Sequence, residues 1–116
     1  MKLREIAEKL NFKELTPELF TVESPEVSRG HVSDLLSDVL ANAPAGGVLV
    51  TLQVHMNVIA VAMHSGLVAV IFSSDRIPDD EVIKKAAEEG IALFVSEESS
   101  FDIAGQLYES GVRGEN

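Results

Sequence analysis

Val68-Ala69-Val70-Ile71-Phe72 is the clearest strand in the sequence, because all five residues are apolar and three of them are β-branched. Residues 48–52 and 91–95 are two further runs of the same length and are mostly apolar. None of the three runs alternates strictly between apolar and polar residues, which is typical of strands buried on both faces. Such strands belong to mostly parallel sheets that helices cover on both sides. The predicted fold class is therefore α/β, a small three-layer sandwich.

The segments before residue 48 carry two helix patterns and one short strand pattern. Apolar residues at positions 3, 6, 7 and 10 share one helix face, which predicts an amphipathic helix within residues 1–17. Residues 19–22 predict a short strand that ends before Ser24 and Pro25. A second helix is expected to be capped by Ser33. Its predicted buried face is formed by Leu35, Leu36, Val39 and Leu40.

The second half of the chain alternates strands with helices. Residues 57–64 fit either a strand or a helix, and two alanines followed by Gly66 favour the helix. Pro78 and the three acidic residues after it predict the start of another helix. Ser99 or Ser100 is expected to cap a final helix. We expect one domain over residues 1–116, with a frayed tail at 113–116.

Composition excludes several classes of function. The 116 residues carry a net charge of −10, which would repel nucleic acid and anionic lipid, so neither is expected as a partner. The absence of cysteine excludes disulfides, thiolate nucleophiles and iron–sulfur clusters. The stretch between Asp38 and Asp75 has no charged residue, but polar residues, glycines and a proline interrupt it throughout. We therefore expect a cytoplasmic protein.

Catalytic and metal-binding motifs are not found in the sequence. It has no GxxxxGK[ST] loop, no GxSxG and no HExxH, so no enzyme activity and no cofactor is predicted. His31, His55 and His64 lack the spacing of a helical metal-binding pair. A metal ion would need ligands from separate loops, such as His31, His55 and Asp75. No metal site is predicted.

Polar clusters follow the predicted strands. In open parallel sheets, ligands bind beyond the carboxyl ends of the strands, an edge that we call the rim. Serine, aspartate and asparagine at such places also serve as ordinary helix caps, and the sequence alone favours capping. Arg29 and Arg76 belong to these clusters, and cations are scarce in so acidic a chain, which strengthens the ligand-binding interpretation. The candidate ligand-binding residues are Arg29, Gly30, His31, Gln53, His55, Asn57, Ser73, Ser74, Asp75, Arg76, Ser99 and Ser100. Ser96 belongs to the last of these clusters.

The order of these segments resembles the DRTGG domain family and the related N-terminal domain of bacterial HPr kinase/phosphorylase. Four passages carry the resemblance: residues 30–39 (GHVSDLLSDV), 51–58 (TLQVHMNV), 70–83 (VIFSSDRIPDDEVI) and 99–105 (SSFDIAG). The resemblance as a whole covers most of the chain, roughly residues 18–112. This chain departs from the family where Ser73, Ser74 and Asp75 replace the glycines that give it its name.

The resemblance implies a noncatalytic module. Members of the family occur as regulatory or dimerising units beside other domains and as separate proteins, some of them associated with hydrogenase genes. The kinase relatives carry catalysis in another domain, whose phosphate-binding loop this chain lacks.

Two functions are therefore considered. The first is a regulatory module that binds a polar metabolite or a nucleotide at the rim. The alternative is a module that forms a homodimer, or that docks onto a redox or signalling protein. A large apolar fraction in a short chain supports the alternative, because apolar surface that the core does not bury favours association.

Overall fold

The computed structural model describes residues 1–114. Its helices and strands are, in chain order, α1 (Leu3–Lys9), β1 (Lys13–Glu14), β2 (Gly30–Val32), α2 (Leu36–Asn42), β3 (Val48–Thr51), α3 (Asn57–Ser65), β4 (Ala69–Phe72), α4 (Asp80–Glu88), β5 (Ala92–Val95) and α5 (Ser100–Glu109). Within this range no helix has the length and apolar character needed to cross a membrane.

The five strands form one sheet in the order β1-β5-β4-β3-β2. β2 to β5 are parallel, and β1 joins the far side of β5 in the antiparallel direction. Every residue of β3, β4 and β5 is buried, which confirms the prediction of strands covered on both faces. The mostly parallel sheet is confirmed as well.

Two apolar cores lie on opposite faces of the sheet. On one face Val50, Ile71 and Phe94 pack in a cluster with residues of α1 and α5, among them Ile6 and Ile103. On the other face the cluster joins the alternate residues of the same strands, such as Leu49 and Val70, to α2, α3 and α4. Two helical layers with the sheet between them make the predicted three-layer sandwich.

The strand predicted at residues 19–22 is wrong, since this segment forms a turn. Phe20 has a left-handed backbone with φ 57°, and Val22 is 99 % exposed, so the segment buries no strand face. The Arg4 guanidinium fixes the turn through hydrogen bonds to the carbonyl oxygens of Leu19 and Phe20, at 2.6 and 3.1 Å. Residues 30–32 form a strand instead, at the edge of the sheet.

The predicted start and buried face of α2 are partly wrong. The helix begins at Leu36, and the Ser33 hydroxyl accepts a hydrogen bond from the N–H of Leu35, one residue before the helix. Val39 is buried as predicted, but Leu35 and Leu40 are exposed. The reason is that α2 lies at the end of the helical layer, so that only a narrow stripe of it meets the sheet and α3.

Other helix predictions are confirmed. Residues 57–65 are helical, and Gly66 ends the helix in the left-handed conformation with φ 69°. Ser99 caps α5 by accepting a hydrogen bond from the N–H of Asp102. Arg113 is not frayed, because its N–H donates to Ser28 and its carbonyl accepts from Gly30. Residues 115–116 of the predicted tail lie outside the described residues.

Candidate ligand cavity at the carboxyl ends of the strands

The carboxyl ends of β3, β4 and β5 lie side by side. Thr51, Phe72 and Val95 are their last residues, and each is in register with its neighbour. The polar segments that follow, residues 52–57, 73–76 and 96–100, therefore share one edge of the sheet. The structure brings these predicted clusters together at the rim.

Arg29 and Gly30 lie at the amino ends of the strands, opposite the rim, so their predicted place at the rim is wrong. Gly30 pairs with Val48, the first residue of β3, which puts it at the amino end of the sheet. The prediction placed these residues after a strand at 19–22, whereas they lead into β2 themselves.

His31 is engaged within the protein. Its Nε2 lies 2.8 Å from Oδ2 of Asp38 on α2, and the Asn42 amide donates to the other oxygen of that carboxylate, also at 2.8 Å. The hydrogen bond from Asn42, followed by that from His31, lowers the pKa of Asp38 to about 2. This cluster fastens α2 to the edge strand β2.

Several rim residues cap or brace the fold. The buried Ser73 hydroxyl lies 2.6 Å from the Ser100 hydroxyl, so β4 is joined to the start of α5. The Gln53 amide donates to the carbonyl oxygen of Asp34, and Nδ1 of His55 accepts from the N–H of Asn57 at the start of α3. Capping and bracing therefore explain the hydrogen bonds of Ser73, Ser100, Gln53 and His55 without a ligand.

Ser74 and Asp75 have an unusual backbone. Both are left-handed, with φ 55° and 58°, and neither is glycine. Their N–H groups donate to the carbonyl oxygens of Glu98 and Ser96, each at 2.8 Å. These two bonds hold the β4–α4 loop against the β5–α5 loop and fix the position of Asp75. The N–H of the exposed Arg76 closes the turn by donating to Ser73.

A polar cavity of about 450 Å³ lies beside these loops, at the carboxyl end of β5. We call it the rim cavity. It lies between the two loops on one side and the end of α1 with the start of β1 on the other. Its charged or amide lining residues are Lys9, Asn11, Lys13, Asp75, Glu97, Glu98 and Gln106. Asp75 is the member of the predicted ligand-binding set that lines it, together with Ser96 from the same clusters.

The polar groups of the rim cavity are not neutralised by one another. Within residues 1–114, neither Lys9 nor Lys13 forms an ion pair with a carboxylate. The side-chain oxygen of Gln106 is buried and accepts no hydrogen bond from the described residues. This oxygen has almost no accessible surface, so it is enclosed by the fold and does not open into the cavity.

Sequence reasoning missed the two lysines and Gln106. Lys13 reaches the rim because β1 pairs with β5, Lys13 opposite Val95, and Lys9 lies nearby in the last turn of α1, which ends shortly before β1. A two-residue strand of lysine and glutamate has no apolar pattern that would predict it. Gln106 lies inside a helix and carries no local sequence signal.

A second, apolar cavity of about 230 Å³ lies beside the edge strand β2, on the far side of the sheet from β1. Val32 of β2 and Leu107 of α5 line it, and the Arg113 guanidinium stacks on the Tyr108 ring at 3.7 Å from the ring centroid. In the described part of the chain, no group of three histidine, cysteine or acidic residues is arranged to hold a metal ion.

The fold has a counterpart of known structure, although no family model and no curated protein matches the sequence. The chain is similar to the CBS and DRTGG domains of the regulatory region of Clostridium perfringens pyrophosphatase. That structure contains the activator diadenosine tetraphosphate. The TM-score is 0.73 at 14 % identity.

The chain has a DRTGG-like fold. The likeness covers 94 % of this chain and 46 % of the pyrophosphatase chain, so this chain spans less than half the length of that one. The fold that the sequence resemblance implied is confirmed.

Proposed function

We propose that this DRTGG-like domain is a noncatalytic regulatory module, active in the cytoplasm, that binds a polar metabolite or a nucleotide at the rim. One observation carries the binding role: charged side chains of both signs line the rim cavity, which lies at the carboxyl ends of the strands. Clefts of this size are typical of small-molecule sites, and the carboxyl edge is where parallel sheets bind ligands. The likeness to a regulatory region bound to a nucleotide activator supports the regulatory role.

A thermal-shift screen of the full chain tests this proposal. The ligands are nucleotides, phosphorylated sugars, organic acids and amino acids. A ligand at one hundred times its dissociation constant adds about 2.7 kcal/mol to the free energy of unfolding, which raises the melting temperature by several degrees. We expect at least one of these classes to stabilise the protein.

Two variants then locate the binding site. Asp75→Asn removes a charge from the rim cavity and keeps a residue type that tolerates the left-handed backbone. Glu88→Gln removes a charge from α4, on the other face of the sheet. The ligand should stabilise Asp75→Asn less than the wild type and Glu88→Gln as much. The proposal is wrong if no ligand shifts the melt or if both variants respond like the wild type.

Self-association is a second candidate function, and the open edge of β2 favours it. β1, at the other edge of the sheet, is protected by its shortness and its two charged residues. β2 pairs with residues near Arg113 at its start, but beyond that point it has no outer neighbour among the described residues. Val32 and Tyr108 beside the apolar cavity are 47 % and 59 % exposed. A second copy of the chain placed against this edge would bury them.

Sedimentation at micromolar concentration tests self-association. We expect the wild type to be a dimer and Val32→Lys to be a monomer, because lysine would bring charge into the contact. Val22→Lys is the matched control, since Val22 is fully exposed in the turn near α1 and the same change there should leave the dimer intact. A wild-type monomer would contradict this candidate function.

A further inference from the structure

The apolar cavity beside β2 lies between this edge strand and α5, and we call it the β2–α5 groove. Val32 of β2 and Tyr108 of α5 line it and are 47 % and 59 % exposed, so both present apolar surface to solvent. The buried residues Val50 and Leu107 also line it and belong to the core beneath. The groove is therefore apolar and open to solvent.

Arg113 lines the groove and is held firmly in place. Its backbone pairs with Arg29 at the start of β2. Its guanidinium stacks on the Tyr108 ring, and Nη1 donates to the carbonyl oxygens of Tyr108 and Val112 at 2.8 and 3.1 Å. An arginine fixed in this way loses little further conformational freedom when it binds a ligand.

The guanidinium retains hydrogen-bonding capacity for an anion. Among residues 1–114, Arg113 forms no ion pair with a carboxylate, and its Nε and Nη2 donate to no acceptor. None of the residues that line the groove is acidic. A guanidinium with two neighbouring N–H groups to donate can pair with a carboxylate through two parallel hydrogen bonds.

His31 contributes backbone to the groove and not its ring. It is in register with Leu49, whose side chain belongs to the core on the other face of the sheet. Its ring accordingly meets Asp38 of α2. Within residues 1–114, Arg113 is therefore the one charged side chain that the groove presents to a ligand.

We propose that the β2–α5 groove binds a small apolar monocarboxylate, with its hydrocarbon body against Val32 and Tyr108 and its carboxylate paired with Arg113. A cavity of about 150 Å³ can hold benzene, so 230 Å³ accommodates a ring with a short chain. Apolar walls with one well-placed polar group are typical of small-molecule sites. A single carboxylate matches a single guanidinium, and the net charge of −10 disfavours further negative charge.

This inference goes beyond the proposed function, because the β2–α5 groove and the rim cavity share no lining residue. Either site can therefore fail its test without affecting the other.

Nuclear magnetic resonance titration of the isotopically labelled full chain tests the ligand class. The probes are 3-phenylpropionate and hexanoate, each with the corresponding alcohol as the control that lacks the carboxylate. Acetate is the control that lacks the apolar body. We expect at least one of the two acids to bind and to shift the amide signals of Val32 and Tyr108. Its alcohol and acetate should each bind about tenfold more weakly or worse, because each lacks one of the two contacts.

Two variants locate the site. Arg113→Gln should weaken binding of the acid about tenfold, whereas Lys84→Gln on α4 removes the same charge elsewhere and should not. Ala104→Leu fills the groove from α5 with another good helix former, so it should abolish binding without lowering the melting temperature. Ala87→Leu on α4 is its matched control and should bind the acid like the wild type. The alanine variants separate loss of binding from loss of folding.

The inference is overturned if neither acid binds, if the alcohol binds as tightly as its acid, or if Arg113→Gln and Lys84→Gln bind alike. It is also overturned if Ala104→Leu folds and still binds the acid. If neither acid binds and Val32→Lys converts a dimer into a monomer, a second copy of the chain covers the groove instead.

Discussion

Asp38 is the residue whose protonation the fold changes most clearly. Its pKa is about 2 in the folded protein and 3.8 ordinarily, because Asn42 and His31 hydrogen-bond to the charged carboxylate. A lowered pKa means that the unfolded chain takes up this proton more readily. Asp38 therefore contributes stability above about pH 4, and this contribution is lost as the pH falls towards about 2.

Urea unfolding at a series of pH values between about 6 and 2 tests the role of Asp38. We expect the free energy of unfolding to fall less steeply with acid in Asp38→Ala than in the wild type. Other carboxyl groups titrate in both proteins, so the difference between the two curves isolates Asp38. Parallel curves would show that Asn42 and His31 do not lower the pKa of Asp38.

Thr16 is a second residue whose role can be tested singly. It is fully buried, and its hydroxyl accepts a hydrogen bond at 3.0 Å from the N–H of Leu93 in β5. Thr16→Val keeps the shape and leaves that N–H buried without its acceptor, which should lower the free energy of unfolding by about 1–3 kcal/mol. Urea unfolding measures the loss, and hydrogen exchange should be faster at the Leu93 amide than at its neighbours in β4.

Thr21→Val is the control for this prediction, because Thr21 is exposed in the turn. The same change there should alter the free energy of unfolding by less than about 0.5 kcal/mol. Equal effects of the two substitutions would mean that the bond to Leu93 is not what stabilises the protein.

At the scale of elements, the sequence predicts those whose stability is local. β3, β4 and β5 are continuous runs of buried residues. Gly66 ends α3 and Ser99 caps α5, and each acts on residues close to it in the sequence. β1 was missed because two polar residues become a strand only by pairing with β5, some 80 positions along the chain. β2 was missed because an edge strand such as Gly-His-Val has no need of an apolar run.

In the candidate site too, local sequence patterns place some residues correctly, while others are brought there only by the tertiary fold. The serine and aspartate residues after β4 and β5 were placed at the rim correctly, since they directly follow strands that the pattern predicts. Arg29 and Gly30 were misplaced because the strand assumed before them is a turn. Lys9, Lys13 and Gln106 come from elements that only the tertiary fold brings to the cavity, so no local pattern could single them out.

At the scale of the whole molecule, ligand binding at the rim cavity and self-association are proposed at opposite edge strands of the sheet. The rim cavity adjoins β1 and β5, and the apolar cavity adjoins β2. Four strand spacings of about 4.8 Å separate the two edges, which gives roughly 19 Å. At physiological ionic strength the screening length is about 8 Å, so a charge at one end is weakly felt at the other. Ligand binding at the rim cavity and self-association should therefore be independent unless the fold itself changes.

Val32→Lys tests this independence in the same preparations. We expect its affinity for a ligand that the thermal-shift screen identifies at the rim cavity to stay within about twofold, because the charge lies beyond two screening lengths. Calorimetric titration at about 0.15 M salt, with Val22→Lys alongside, measures it. A loss of about tenfold in Val32→Lys alone would mean that the dimer and the rim cavity are coupled by about 1.4 kcal/mol. By reciprocity the ligand would then also shift the monomer–dimer equilibrium by the same factor, and such a shift would make self-association the output of a ligand-controlled switch.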